Sequence, residues 1–177
     1  MTLKTYLSWH DVERHVNQLA VQLYRDNWKP DYIVGLTRGG LVPAVKISHY
    51  LDVPMHSLSP KTESNCWMAE EALGYVPEAD RETIGSRIDP SYRKKILIID
   101  DINDTGATLN WIREDWKSSC LPNDERWNDV WGNNVRVAVI VDNQGSNFKE
   151  VDYAGITINK LENPVWVVFP WEAWWEQ

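Results

Sequence analysis

Apolar and polar positions divide this chain into alternating helical and extended stretches. Residues 9–28 place Val12, Val16, Leu19, Leu23 and Tyr24 at helical spacing, which predicts an amphipathic helix. Asp31 to Leu36 is a short apolar run that ends in Thr37-Arg38-Gly39-Gly40. A helical stretch from Leu41 to Leu51 follows, so the order is strand, glycine-rich turn, helix. Val53 to Leu58 predicts a second strand. Lys95 to Ile99 is the clearest buried strand, and beyond a loop that ends at Thr108 the residues Leu109, Ile112 and Trp116 resume helical spacing. Val135–Val141, Asp152–Ile158 and Val165–Phe169 predict three more strands. Strands that alternate with helices predict an α/β fold with a mainly parallel sheet flanked by helices and a ligand at the strands' C-terminal ends.

Two segments break the periodicity. Residues 59–92 are polar and charged, with Pro60, Gly74, Pro77, Gly85 and Pro90 scattered through them, and are expected to form a flexible lid or a disordered insertion. Residues 121–134 form a second polar insertion. No internal repeat or linker divides the chain, so 1–177 is expected to be one domain.

Composition narrows the function classes. A net charge of −8 argues against a nucleic-acid surface, which needs clustered Lys and Arg, but leaves room for a small anion held by backbone N–H groups. The two cysteines, Cys66 and Cys120, stand far apart in sequence and outside any CxxC pattern, and read as free thiols. Met1 to His10 lack a basic segment followed by an apolar run, and no stretch approaches the roughly 18 apolar residues of a membrane span. The expected location is the cytoplasm. Most of the 11 tryptophans are expected to serve packing and subunit contact, with at least one free to stack on a flat ligand.

The chemistry concentrates in Asp100-Asp101-Ile102-Asn103-Asp104-Thr105-Gly106-Ala107-Thr108. A buried strand delivers two carboxylates, and a turn of small residues then opens a helix. Small residues let backbone N–H groups approach a ligand with the helix dipole behind them, and Thr105 and Thr108 add hydroxyls, so this half suits a phosphate. Asp100 and Asp101 would repel a phosphate. They suit vicinal ribose hydroxyls or a hydrated Mg²⁺. A phosphate beside a polyol describes a sugar phosphate. The loop is neither a Walker A nor a GxGxxG motif.

The run from Ile98 to Leu109 resembles the signature of the type I phosphoribosyltransferases, which bind phosphoribosyl pyrophosphate. The resemblance implies that Asp100 and Asp101 hold the ribose and the metal, and that Thr105, Gly106, Ala107 and Thr108 wrap the 5-phosphate. Members acting on 6-oxopurines usually carry Asp at the position of Asp104, which would then exchange a proton at purine N7 as general acid/base. Thr37-Arg38-Gly39-Gly40 resembles the family's pyrophosphate loop, with Arg38 receiving the leaving group. Trp166 to Glu172 resembles the segment that closes the base pocket in the bacterial and archaeal xanthine-guanine or hypoxanthine enzymes. The carry-over gives Trp166 as stacking platform, Val167 as backbone reader and Glu172 as an acid toward metal or base, within a small C-terminal hood at 159–177.

One departure matters. The 6-oxopurine enzymes carry a lysine toward purine O6 just after the strand that follows the phosphate loop, whereas this chain has Asp142-Asn143 there. Asn143 could donate instead, Asp142 could face a base with an amino group, or Lys149 or Lys160 could reach the site from elsewhere. The lid also lacks a Ser-Tyr pair, for which Trp67 or Tyr75 could substitute. The resemblance implies transfer of a phosphoribosyl group to a nucleobase, a purine by preference, with Mg²⁺ as cofactor and pyrophosphate as product, in nucleotide salvage. A homodimer or homotetramer is expected, without nucleic acid or membrane. The competing readings are a non-catalytic sensor of phosphoribosyl pyrophosphate and a transferase for a non-purine base.

Overall fold

The computed structural model describes residues 3–62, 65–172 and 174–176. Five strands, β2 (Tyr32–Leu36), β3 (Met55–Leu58), β4 (Ile96–Asn103), β5 (Val135–Asn143) and β6 (Tyr153–Ile158), form a parallel sheet in the order β3-β2-β4-β5-β6. Both faces are covered. Along β4, Ile96 and Ile98 enter one apolar cluster while Leu97 and Ile99 enter the other, and Val137 and Ala138 divide the same way on β5. This double burial is why these strands read as continuous apolar runs.

Helices α1 (Trp9–Asp26) and α2 (Leu41–Leu51) cover one face. Ser8 starts α1, with its hydroxyl accepting from Asp11 N–H at 3.1 Å and its own N–H donating to the Asp11 carboxylate at 2.9 Å, a reciprocal cap. The other face is covered by α3 (Cys66–Leu73) and α5 (Ala107–Ser119), with the one-turn α4 (Arg81–Ile84) between them in sequence. Trp116 and Trp127 are buried in that layer, and Trp28 is buried in the opposite one, which is the packing role expected of most tryptophans. No described helix is long and apolar enough to cross a membrane.

Three expectations change. The segment 59–92 divides in two: residues near 60 stay at the cleft, while Met68, Ala69, Ala72, Leu73, Val76 and Ile88 are core. Tyr75 and Ile88 form an antiparallel bridge, with Val76 N–H donating to Arg87 O at 2.9 Å. Alanines supply much of this buried face, and Glu70 and Glu71 interrupt it, so the helical period is faint in sequence. Glu63 and Ser64 of the expected lid lie outside the described residues. Second, β4 runs on through Asp100 to Asn103, so the first half of the expected loop is strand. Third, β7 (Val165–Val168) does not join the main sheet. It pairs in parallel with β1 (Leu3–Tyr6), a strand the periodicity missed because all four of its residues are exposed.

Candidate active site

The chain leaves β2 for β3 on one side and returns to β4 on the other, so the sheet's direction of growth reverses between β2 and β4. The loops after these two strands diverge and open a crevice. A cleft of about 900 Å³ lies there, lined by Thr37, Arg38 and Gly39 after β2, by Asp100 through Thr108, and by Trp166, Trp171 and Glu172 from the C-terminal segment. The structure therefore gathers the three motifs that sequence alone set far apart.

The two loops touch. A Cβ at Gly39 would overlap the Asp101 carboxylate, and one at Gly40 would stand 2.5 Å from Ile99 O and 2.8 Å from Leu36 O. Neither position has room for a side chain, which accounts for the Gly-Gly pair. Thr37 Oγ1 donates to Ser59 Oγ at 3.0 Å, so β3's exit braces the first loop. Gly40 lies against the strands behind Thr37 to Gly39 and does not itself line the cleft.

Asp100 and Asp101 stand where β4 reaches the cleft. Burial, and then the Asp101 charge, hold the Asp100 carboxyl well above the usual carboxylate range. Burial also raises Asp101, and the charge of Glu172 adds to it. Among the described residues no ion pair with Lys or Arg offsets either group, and no set of three or more His, Cys, Asp or Glu side chains is arranged to hold a metal by itself. Such a pair is complemented by hydroxyl donors or by a cation that also takes oxygens from a ligand. Glu172 faces the same cleft while its Oε2 accepts from Phe169 N–H at 3.1 Å.

The phosphate half is a helix start. Gly106 precedes α5 with φ of 83°, and a Cβ there would meet Phe148 N and Ser146 Oγ. Only glycine fits this left-handed turn. The first-turn N–H groups of α5 have no intrahelical acceptors, Ala107 N–H donating instead to Thr105 Oγ1 at 3.3 Å, and Thr105, Ala107 and Thr108 line the cleft. The exit of β5 holds the turn from behind: Asn147 N–H donates to Thr105 O at 2.9 Å, and Ser146 Oγ donates to Asn103 Oδ1 at 2.8 Å.

Asp142 takes a structural position, where its Oδ1 accepts from Asn103 Nδ2 at 2.8 Å in the β4–β5 register, outside the cleft lining. Asn143 is also engaged within the protein, donating to Asp104 O at 2.8 Å. Lys149 donates to Gln144 O on the exposed side. Lys61 lines the cleft from the loop after β3, and Lys160, just after β6, meets two residues of the lining from behind it: its Nζ is 2.8 Å from Asp104 Oδ1 and 5.8 Å from the centre of the Trp166 ring. Sequence spacing could not single it out, because the loop that delivers it belongs to a neighbouring strand.

Trp166 is 55 % exposed, with its ring free toward the cleft. Val167 pairs with Thr5 and packs on the core, outside the cleft lining, so the expected backbone reader is not brought to the cleft. Behind the platform Trp171 stacks on Phe169 at 4.8 Å and meets Trp9 at 5.8 Å, a wall that joins the first helix to the C-terminal segment. Trp67 and Tyr75 are elsewhere: Trp67 packs against Tyr32 and His56, and Tyr75 lies in the α3 layer.

Residues 2–175 match the phosphoribosyl transferase domain family. A xanthine-guanine phosphoribosyltransferase of Cereibacter sphaeroides is 32% identical over 114 residues, covering 61% of this chain and 62% of the relative. Xanthine phosphoribosyltransferase 1 of Saccharomyces cerevisiae is 23% identical over 120 residues, 61% of this chain and 57% of the relative. Both matches span less than two-thirds of the relative's own length. Among solved structures, a purine phosphoribosyltransferase from Pyrococcus horikoshii superposes with a TM-score of 0.61 and 28% identity over 96% of this chain and 94% of that one. The xanthine-guanine-hypoxanthine enzyme of Helicobacter pylori shares the fold, with a TM-score of 0.63 at 16% identity over 98% of this chain and 96% of that one.

Proposed function

The chain belongs to the phosphoribosyltransferase family, and from that premise we propose that it transfers the 5-phosphoribosyl group of phosphoribosyl pyrophosphate to a ring nitrogen of a 6-oxopurine and releases pyrophosphate. The observation that carries the choice of base is Lys160, whose ammonium meets the Asp104 carboxylate at 2.8 Å beside the exposed ring of Trp166. A base stacked on Trp166 would meet a donor and a proton-handling carboxylate side by side. A 6-oxopurine presents O6 and N7 in that order.

Thr105 to Thr108 would hold the 5-phosphate, and Asp100 and Asp101 the ribose hydroxyls. Thr37, Arg38 and the N–H groups beside Gly39 would receive the pyrophosphate. The uncompensated charge of Asp100 and Asp101 fits Mg²⁺ shared with ligand oxygens, with Glu172 on the same wall, and when bound the ion would neutralise charge on the departing pyrophosphate. The C1–O bond to pyrophosphate breaks as the base nitrogen bonds to C1, and the base proton leaves through Asp104. The protein's part is orientation and charge placement.

The test is pyrophosphate release from labelled phosphoribosyl pyrophosphate with a panel of bases. Xanthine, guanine or hypoxanthine should be turned over, and adenine and pyrimidines should not. Tight binding of phosphoribosyl pyrophosphate with no turnover of any base would replace the enzyme by a sensor. The family's cytoplasmic salvage role and an assembly of two or four copies belong to this same reading.

A further inference from the structure

Asn143 closes β5 and is 7% exposed. Its Nδ2 donates to Asp104 O at 2.8 Å, and its Oδ1 accepts from Lys160 N–H at 3.0 Å and from Gly145 N–H at 3.1 Å. The reversed amide would set an NH₂ against two N–H donors, so the orientation is fixed by its partners. One side chain therefore grips the backbones of the two residues whose side chains form the ion pair at the cleft's edge.

The phosphate half has a separate anchorage. Asn147 N–H holds Thr105 O, and Ser146 holds Asn103, whose amide also donates to Phe148 O at 3.0 Å. The exit of β5 thus carries two devices: Ser146 and Asn147 behind the phosphate turn, and Asn143 between Asp104 and Lys160. We propose that Asn143 is a positioning residue for base transfer, fixing the Asp104 carboxylate relative to the Lys160 ammonium without touching substrate. The proposal rests on the reading of Asp104 and Lys160 as the base-facing pair.

The experiment compares Asn143→Ala and Asn143→Asp with the unaltered protein. Lysines are labelled by reductive methylation and read by mass spectrometry, and binding and turnover are measured alongside. Asn143→Ala should speed labelling of Lys160 by about fivefold or more while other lysines are unchanged, because a mispositioned ammonium leaves its partner. It should raise KM for the base or lower kcat by about tenfold or more, and leave the Kd for phosphoribosyl pyrophosphate within about threefold. Asn143→Asp keeps the acceptor for Lys160 N–H but replaces the donor to Asp104 with a charged oxygen facing its carbonyl, so it should lower kcat while Lys160 labelling does not rise above that of the unaltered protein. Unchanged Lys160 labelling in Asn143→Ala overturns the proposal, as does a loss of phosphoribosyl pyrophosphate binding as large as the loss in base transfer. Should the unaltered protein transfer to no base, the labelling still decides for or against Asn143, and that failure falls on the assigned reaction alone.

Discussion

Gly39 lies so close to Asp101 that a methyl group on the glycine would occupy the carboxylate's place. The loop after β2 and the acids at the end of β4 are therefore one packed unit. Gly39→Ala should push Asp101 aside and weaken phosphoribosyl pyrophosphate binding about tenfold or more, with a stability cost of about 1–3 kcal/mol. Gly40→Ala meets backbone on two sides and should destabilise more. Calorimetric titration and thermal unfolding distinguish the two; equal effects would contradict this arrangement.

Asp104→Asn removes the carboxylate proposed to take the base proton and keeps the shape. Turnover should fall about 10²–10⁴-fold, the range for loss of a positioned acid/base. Binding of phosphoribosyl pyrophosphate should be nearly unchanged, since Asp100, Asp101 and the α5 turn are intact. Steady-state kinetics beside direct binding measures the split.

Lys160→Met keeps the stem and deletes the charge. Buried polar atoms on the base would then lack a partner, so kcat/KM for a 6-oxopurine should fall roughly 5–150-fold, a loss of about 1–3 kcal/mol. The ratio of 6-oxopurine to adenine turnover measures it. An unaltered ratio would remove Lys160 from base selection.

Asp100 makes the free protein pH-sensitive. Burial and the Asp101 charge raise its carboxyl above the ordinary 3.8, so the folded state holds that proton more tightly than the unfolded chain. Its contribution is fully present below the unfolded value and is lost as pH rises through the folded one. Asp100→Asn should accordingly stabilise the free protein at neutral pH by about 1 kcal/mol, a gain typical of relieving strain at a functional site. The gain should vanish near pH 4. Thermal melts of both proteins across that range give the comparison, and substrate binding should be lost in the variant.

Met68 tests the place of α3 in the core. Its side chain is 1% exposed, and Met68→Ala should cost about 2–5 kcal/mol. Deletion of residues 64–86, which a flexible lid would tolerate, should prevent folding. Circular dichroism of either variant suffices as the readout.

Most of the sheet was legible because parallel strands buried on both faces leave unbroken apolar runs, as at Ile96 to Ile99 and Val137 to Val141. The acid pair and the phosphate turn were legible because so few backbone arrangements need Asp100, Asp101 and Gly106 in that order. Lys160 was legible only as one of two lysines, with Lys149, that could reach the site, since its place depends on β6 lying beside β5 and on Asn143 holding its backbone, facts of packing rather than of spacing. The same limit applies to α3, whose buried face is part alanine, and to β1, which has no buried face at all. Asp142 misled because its register partner, Asn103, absorbs the carboxylate that position alone would have aimed at a ligand.

The pairing of Leu3–Tyr6 with Val165–Val168 also sets a timetable. A nascent chain emerging N-terminus first can bring together the loops after β2 and β4 once β5 has left the ribosome. Trp166 arrives only afterwards, on a strand that finds β1 already waiting. The wall of the cleft that carries Trp166 is therefore the last to be built, and an appendage fused before Leu3 would sit beside that strand.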